Sequence, residues 1–276
     1  MRKAKIVFLM SNFIAIDFET ANEYKASACS IGVVQFNKTK ISKKFESLIR
    51  PPKDIDHLRS DFYRIHGISR ESYIKSEYFP LVWEKLTEEI NFSDSLVFAH
   101  NAGFDLNVLK ELFAYYKINF PTITYLCTVN LAKLTWNTYD YKLSTLSSHL
   151  KIELNHHDAL SDASACAKIA MFCLKTHGSS NFNQIIRNSR FGYGKLSKSV
   201  NTPMSKSNVK NQYAKSGQTS SYKLDGKTLS IIESENRKES KPQKTEVSQY
   251  LKLNSRGYCE KCFLELPLSG DNCQYC

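Results

Sequence analysis

Apolar and polar positions alternate in short blocks along the first half of the chain. FIAIDF (13–18), SIGVVQF (30–36) and ISKKFESLI (41–49) have the length and two-residue period of strands, and short turns such as NKTK join them. PPKDID, from Pro51, breaks that pattern. FPLVWEKLTEEI (79–90) then carries apolar residues at helical spacing, SLVFAH (95–100) reads as a short buried strand, and DLNVLKELFAYYKI (105–118) reads as an amphipathic helix. ITYLCT (123–128) predicts another strand, and helical stretches follow around 129–135, 143–150 and 160–176. Three strands, then alternating helix and strand, then helices, predict an α/β layer fold with a mixed sheet.

After His177 the texture changes. GSSNFNQIIRNSRFGYGKLSKSVN and the residues that follow are rich in Ser, Asn, Lys and Gly without sustained periodicity, which predicts a largely disordered linker. KTLSIIES (227–234) is a candidate transient strand and EVSQYLKL (246–253) a candidate pair of helical turns. The expected organisation is a folded domain over 10–177, a linker over 178–250 and a short tail over 251–276.

Composition adds one departure from an ordinary globular protein. Apolar residues make up 42% and charged residues 24%, but the net charge is +11. Residues 1–177 hold 22 Lys/Arg against 19 Asp/Glu, residues 178–258 hold 15 against 5, and residues 259–276 hold one against three. The basic excess therefore sits in the linker, and a polyanion such as nucleic acid is the expected partner. A solvated spacer is the alternative reading of the same charges.

Four of the eight cysteines, Cys29, Cys127, Cys166 and Cys173, stand in apolar or small-residue surroundings and read as buried thiols, a usage that fits a reducing cytoplasm better than a disulfide framework. The run IVFLM near the start is short for a signal peptide, and Met10 is an alternative first residue. No apolar run has the length to span a bilayer, so no membrane is expected.

The chemistry sits at element ends. Residues i and i+2 of a strand share a face, so Asp17 and Glu19 present two carboxylates together while Phe18 points the other way. Adjacent carboxylates repel unless a cation lies between them, and hard oxygen ligands suit Mg²⁺ or Mn²⁺. A solvated strand end explains the pair equally well. Asp105 follows another buried strand, and Asp162 falls in the first turns of a long helix whose Ala163, Ala167, Ala170, Met171 and Leu174 form a sheet-packing face. His157 lies five residues before Asp162.

D-x-E in DFET, H-N-A-x-F-D in HNAGFD and H-x-A-x-x-D in HDALSD, with RIHGIS, CTVNLAKL and LSTLSSHL between them in order, resemble the DnaQ-like 3′→5′ exonucleases of the DEDDh branch. The resemblance spans about 12–176 and is greatest to the group that holds the proofreading epsilon subunit of DNA polymerase III. It implies a ribonuclease-H-like, five-stranded mixed sheet flanked by helices. It also implies two Mg²⁺ or Mn²⁺ ions held by Asp17, Glu19, Asp105 and Asp162, Asp17 bridging them, with His157 as general base. Asp158 stands where a sister branch has Tyr, and His156 does not satisfy H-x-A-x-x-D, so His157 is the histidine selected.

Substrate contacts are implied for Thr20, His66, Ile68, Asp61 and Asn101, while Phe18 and Phe104 are open between base or sugar packing and core. For His66 a structural loop histidine is the alternative. The implied activity is release of nucleoside 5′-monophosphates from the 3′ ends of single-stranded DNA in repair or proofreading. An exoribonuclease resembling RNase T or oligoribonuclease is the alternative within the class, and a recruitment module acting through linker and tail is the alternative outside it.

The tail is read from spacing alone. Cys259, Cys262, Cys273 and Cys276 form C-x2-C-x10-C-x2-C, two close thiolate pairs that suit a closed structural Zn²⁺ site in a small ribbon or knuckle. Such a tail is a candidate contact for a replication or repair protein.

Overall fold

The computed structural model describes residues 13–92, 95–120, 122–179 and 181–197, together with the backbone of 201–202. The predicted zinc tail and most of the basic linker lie outside the described residues.

β1 (Phe13–Thr20), β2 (Ala28–Phe36) and β3 (Ile41–Leu48) form an antiparallel meander. A 3-10 turn (Lys53–Ile55), α1 (Ser60–His66), α2 (Arg70–Tyr73) and α3 (Phe79–Glu89) lead to β4 (Leu96–Ala99), which pairs parallel to β1. α4 (Gly103–Tyr115) crosses to β5 (Ile123–Cys127), parallel to β4. α5 (Thr128–Thr135), α6 (Leu143–Leu150), α7 (Ala159–Thr176) and α8 (Phe182–Ile186) follow, then β6 (Gly194–Leu196) and β7 (Asn201–Thr202).

The sheet order is β3-β2-β1-β4-β5-β6-β7. The five strands expected from sequence are its first five, and β6 and β7 extend it beyond that number. The fold also runs past His177. Phe182 and Ile186 are buried in the core, and β6 pairs antiparallel with β5. Sequence reading placed these residues in a linker because their apolar positions are too few and too widely spaced to show a period, yet two of them close one end of the core.

The alternation along β1 decides the layering. Ile14, Ile16 and Phe18 pack with α3 and α4 on one face, while Phe13 and Ala15 pack with α5 to α8 on the other. Asp17 and Glu19 continue the second register, so they face α7. β1 and β2 are covered on both sides, which explains their nearly unbroken apolar runs. β3 is the outer strand and carries Lys43, Lys44 and Glu46, charges suited to an edge.

α7 packs on β2 and β1 through a close approach. Gly32 pairs with Asp17 across the ladder, and a Cβ on Gly32 would stand 2.1 Å from the Ala159 carbonyl oxygen. Only hydrogen at this position lets the first turn of α7 lie against the sheet. Asp158 caps that turn, its carboxylate accepting from the Ser161 N–H at 2.8 Å.

Candidate active site

A cleft of about 690 Å³ opens at the carboxyl ends of the parallel strands. Asp17, Glu19, Asp105 and Asp162 line it, joined by His157, Phe18, Thr20, His66, Asn101 and Phe104. Carboxylate oxygens of Asp17, Glu19 and Asp162 lie within 4.8 Å of one another. The strand-end pair thus meets the helix-start acid through the approach that Gly32 permits. Asp105 comes from the first turn of α4, and its Oδ1 accepts the Phe18 N–H at 3.1 Å.

Crowding governs the protonation of these acids. Burial, followed by the charges of Asp105, Asp162 and Glu19, pushes Asp17 far above the usual carboxylate range. Burial and the charges of Asp162 and Asp105 push Glu19 up to about 8. Burial lifts Asp105 to about 7 against the pull of the Phe18 amide. Burial raises Asp162 too, opposed by His156. The Oδ1 of Asp162 is buried and without a hydrogen-bond partner. Like-charged oxygens packed this tightly, one of them orphaned, fit hard divalent cations.

His157 turns its Nδ1 to 3.8 Å from Glu19 Oε1. Its backbone is left-handed at φ +69°, and its side chain is 39% exposed at the cleft rim. Burial and neighbouring His156 hold its pKa below the usual imidazole value, which keeps a lone pair available near neutrality. Asn101 is likewise left-handed at φ +67°, and its carbonyl accepts the Phe104 N–H at 2.9 Å, opening the turn that starts α4.

His66 serves the loop and the cleft together. Its Nε2–H donates to the Thr20 carbonyl at 3.2 Å and its Nδ1 accepts the Ile68 N–H at 3.0 Å, while the ring lines the cleft. Phe18 is buried, and Phe104 is half-buried with Lys25 Nζ 4.1 Å over its ring. Two residues of the expected substrate set stand elsewhere. Asp61 is held by Arg59 through contacts of 3.0 and 2.7 Å and is not among the cleft-lining residues. Ile68 packs behind the cleft against Ala21, Cys29 and Tyr73.

Other cleft residues escaped sequence reading. Phe62 and Ile65 of α1 line one wall, and Lys133, Tyr141 and Lys142 line another. His100 joins the second wall to the sheet. Its Nε2–H donates to the Tyr141 carbonyl at 2.9 Å, its Nδ1 lies 2.9 Å from Thr128 Oγ1, and burial drives its pKa down to about 4. HNAGFD contains His100, so the motif itself carried that signal. His156, set aside as failing the motif, stands at the site: its Nδ1 is 2.9 Å from Asp162 Oδ2, and its ring stacks on His157 with centroids 3.9 Å apart.

The profile of the RNase_T family, described as exonuclease, matches residues 14–170. The chain belongs to this exonuclease family. Among relatives, a PolC-type DNA polymerase III of Caldanaerobacter subterraneus subsp. tengcongensis is 31% identical over 166 residues, 58% of this chain and 11% of the relative. A 3′-5′ exonuclease DinG of Staphylococcus epidermidis is 28% identical over 165 residues, 58% of this chain and 18% of the relative. The chain thus spans less than a fifth of either relative.

Among solved folds, the nuclease domain of 3′hExo, a DEDDh family member bound to rAMP, superposes with a TM-score of 0.50 at 19% identity, covering 59% of this chain and 92% of that one. Exonuclease I from Methylocaldum szegediense gives 0.53 at 15% identity, covering 64% and 43%. At these identities the solved structures share the fold.

Proposed function

We propose that this chain is a metal-dependent 3′→5′ exonuclease that releases nucleoside 5′-monophosphates from single-stranded DNA. The carrying observation is the convergence of Asp17, Glu19 and Asp162 oxygens within 4.8 Å, with an orphaned buried oxygen on Asp162 and His157 beside Glu19. Asp17, Glu19, Asp105 and Asp162 are the residues that would hold two Mg²⁺ or Mn²⁺ ions. Such ions, when bound, supply a nucleophile active at neutral pH and charge relief on the leaving oxygen. His157 accepts the proton of the attacking water at a ring nitrogen. Thr20 and Asn101 hold the terminal nucleotide by hydrogen bonds, while Phe18 and Phe104 pack on its sugar or base. The DNA-polymerase and DinG relatives favour DNA over RNA.

Cys259, Cys262, Cys273 and Cys276 complete the reading as a structural zinc site, and the basic segment as a nonspecific phosphate tether. A replication or repair protein is the partner proposed for the tail, in the cytoplasm.

The deciding assay follows 3′-labelled and 5′-labelled single strands of DNA and RNA of one sequence in Mg²⁺. Stepwise loss from the DNA 3′ end, abolished in Asp17→Ala and His157→Ala, is the expected result. Faster loss of RNA would move the enzyme to the exoribonuclease reading. No cleavage of either strand would end the nuclease claim and leave recruitment through the tail.

A further inference from the structure

His156 takes no part in the reaction proposed above, yet it is drawn into the same cluster. Its Nδ1 lies 2.9 Å from Asp162 Oδ2 and 3.1 Å from the His157 backbone nitrogen. The backbone N–H of His157 donates to that same oxygen at 3.2 Å, and among the described residues Asp162 Oδ1 has no hydrogen-bond partner. The two imidazoles stack at 3.9 Å with 12° between their planes, so one ring must turn about its side-chain bonds for both lone pairs to meet at one ion. A ring nitrogen from each histidine and an Asp162 oxygen lie within 4.8 Å of one another. Both imidazoles are more than a third exposed while the carboxylate is 5% exposed, so the donor set is open to solvent on its nitrogen side and anchored on its oxygen side.

Two imidazole nitrogens and one carboxylate oxygen differ in kind from the all-oxygen set formed by Asp17, Glu19, Asp105 and Asp162. Mg²⁺ takes oxygen ligands and binds imidazole poorly, whereas borderline cations such as Zn²⁺ favour imidazole and accept three protein ligands with an open fourth position. We propose that His156, His157 and Asp162 form a second site, overlapping the acid cluster at Asp162, for a borderline divalent cation, Zn²⁺ first, and that its occupation switches the cleft off. Each ring binds as a neutral imidazole and gives the ion one nitrogen lone pair, its proton resting on the other nitrogen. The ion that binds here withdraws two groups from hydrolysis together, the general base His157 and the carboxylate Asp162. The site itself stands on the donor geometry. Its inhibitory effect rests on the exonuclease reading.

The test uses the full chain with and without His156→Gln, and His156→Asn as a second variant, all matched for thermal midpoint in chelator. Zinc content after equilibrium dialysis is measured first, because it needs no activity. Wild type is expected to hold one Zn²⁺ more than either variant, the cysteine tail being common to all three. Next, Zn²⁺ is titrated into the Mg²⁺-supported reaction, each protein being scaled to its own zinc-free rate. The half-inhibiting Zn²⁺ concentration is expected to rise by at least about tenfold in the variants, the loss that removal of even a supporting group gives. Equal zinc content, or equal half-inhibition in wild type and variants, overturns the proposal. An extra zinc in wild type without any nuclease activity in Mg²⁺ would uphold the site and refute the exonuclease reading instead.

Discussion

Gly32 shows how one missing methyl brings the acids of the cleft together. It lies across the ladder from Asp17, and the Ala159 carbonyl occupies the space where a side chain would start. Gly32→Val is expected to push the first turn of α7 off the sheet and carry Asp162 away from Asp17. Overpacking of this kind costs about 1–3 kcal/mol. The rate should fall far more than the melting point, and a variant with wild-type kcat would show that the approach does not align the acids. Asn101 gives a second test. Its left-handed backbone costs a residue with a Cβ about 1–2 kcal/mol, a cost that Gly avoids. Asn101→Gly should keep the wild-type denaturant midpoint, whereas Asn101→Val should lower it, and equal midpoints would remove backbone strain as a factor here.

The acids and His157 were legible because each falls at an element end inside an ordered set of short motifs. Contacts such as Asp61 with Arg59 were not, since both side chains sit on a surface helix start where either a substrate or a neighbour satisfies the charge. His156 was passed over for a related reason. A spacing rule admits one histidine, while a turn with positive φ brings two onto the same carboxylate.

At the scale of elements, the period of the apolar residues located all five main strands and the long helices to within two residues at nearly every end. It failed where an element holds fewer than two full periods. α1, α2 and α8 have four to seven residues, and β6 has three. α8 shows that such brevity does not mean marginal importance. Phe182 is 2% exposed, with ring centroids 5.2 Å from Phe13 and 4.7 Å from Phe98. Phe182→Ala is expected to cost about 3–5 kcal/mol, read as a shift in denaturant midpoint. A chain ending at residue 177 should be less stable than one ending at residue 202, since it loses both this ring and the strand beside β5. Equal midpoints for the two would return α8 and β6 to the linker.

For the whole molecule, the crowded acids make folding depend on pH and on metal. Unfolded Asp and Glu release their protons near about pH 4. In the folded, metal-free protein Asp105 holds its proton up to about 7 and Glu19 up to about 8, because burial and like charges disfavour ionisation. The folded state therefore binds more protons than the unfolded one across that interval. Stability present at low pH is lost as pH rises through these two values. In chelator the melting temperature should fall between about pH 5.5 and 8.5, and saturating Mg²⁺ or Mn²⁺ should restore it at the upper end by binding the native state. A metal-free melting temperature that climbs over the same interval would contradict the electrostatics assigned to the cleft.

The acid at the end of β1 is among the first core residues of the chain, and its partner Asp162 stands at the start of α7, the last long helix of the fold. The cage therefore has an order of manufacture. While the chain is being synthesised, the β1 carboxylates and Asp105 emerge early, but His157 and Asp162 follow only with the start of α7, and they join the cleft once α7 has settled over Gly32. Under the proposed exonuclease function, a growing chain stays inactive until α7 is in place. Chains arrested before residue 157 should bind no catalytic cation and release no nucleotide.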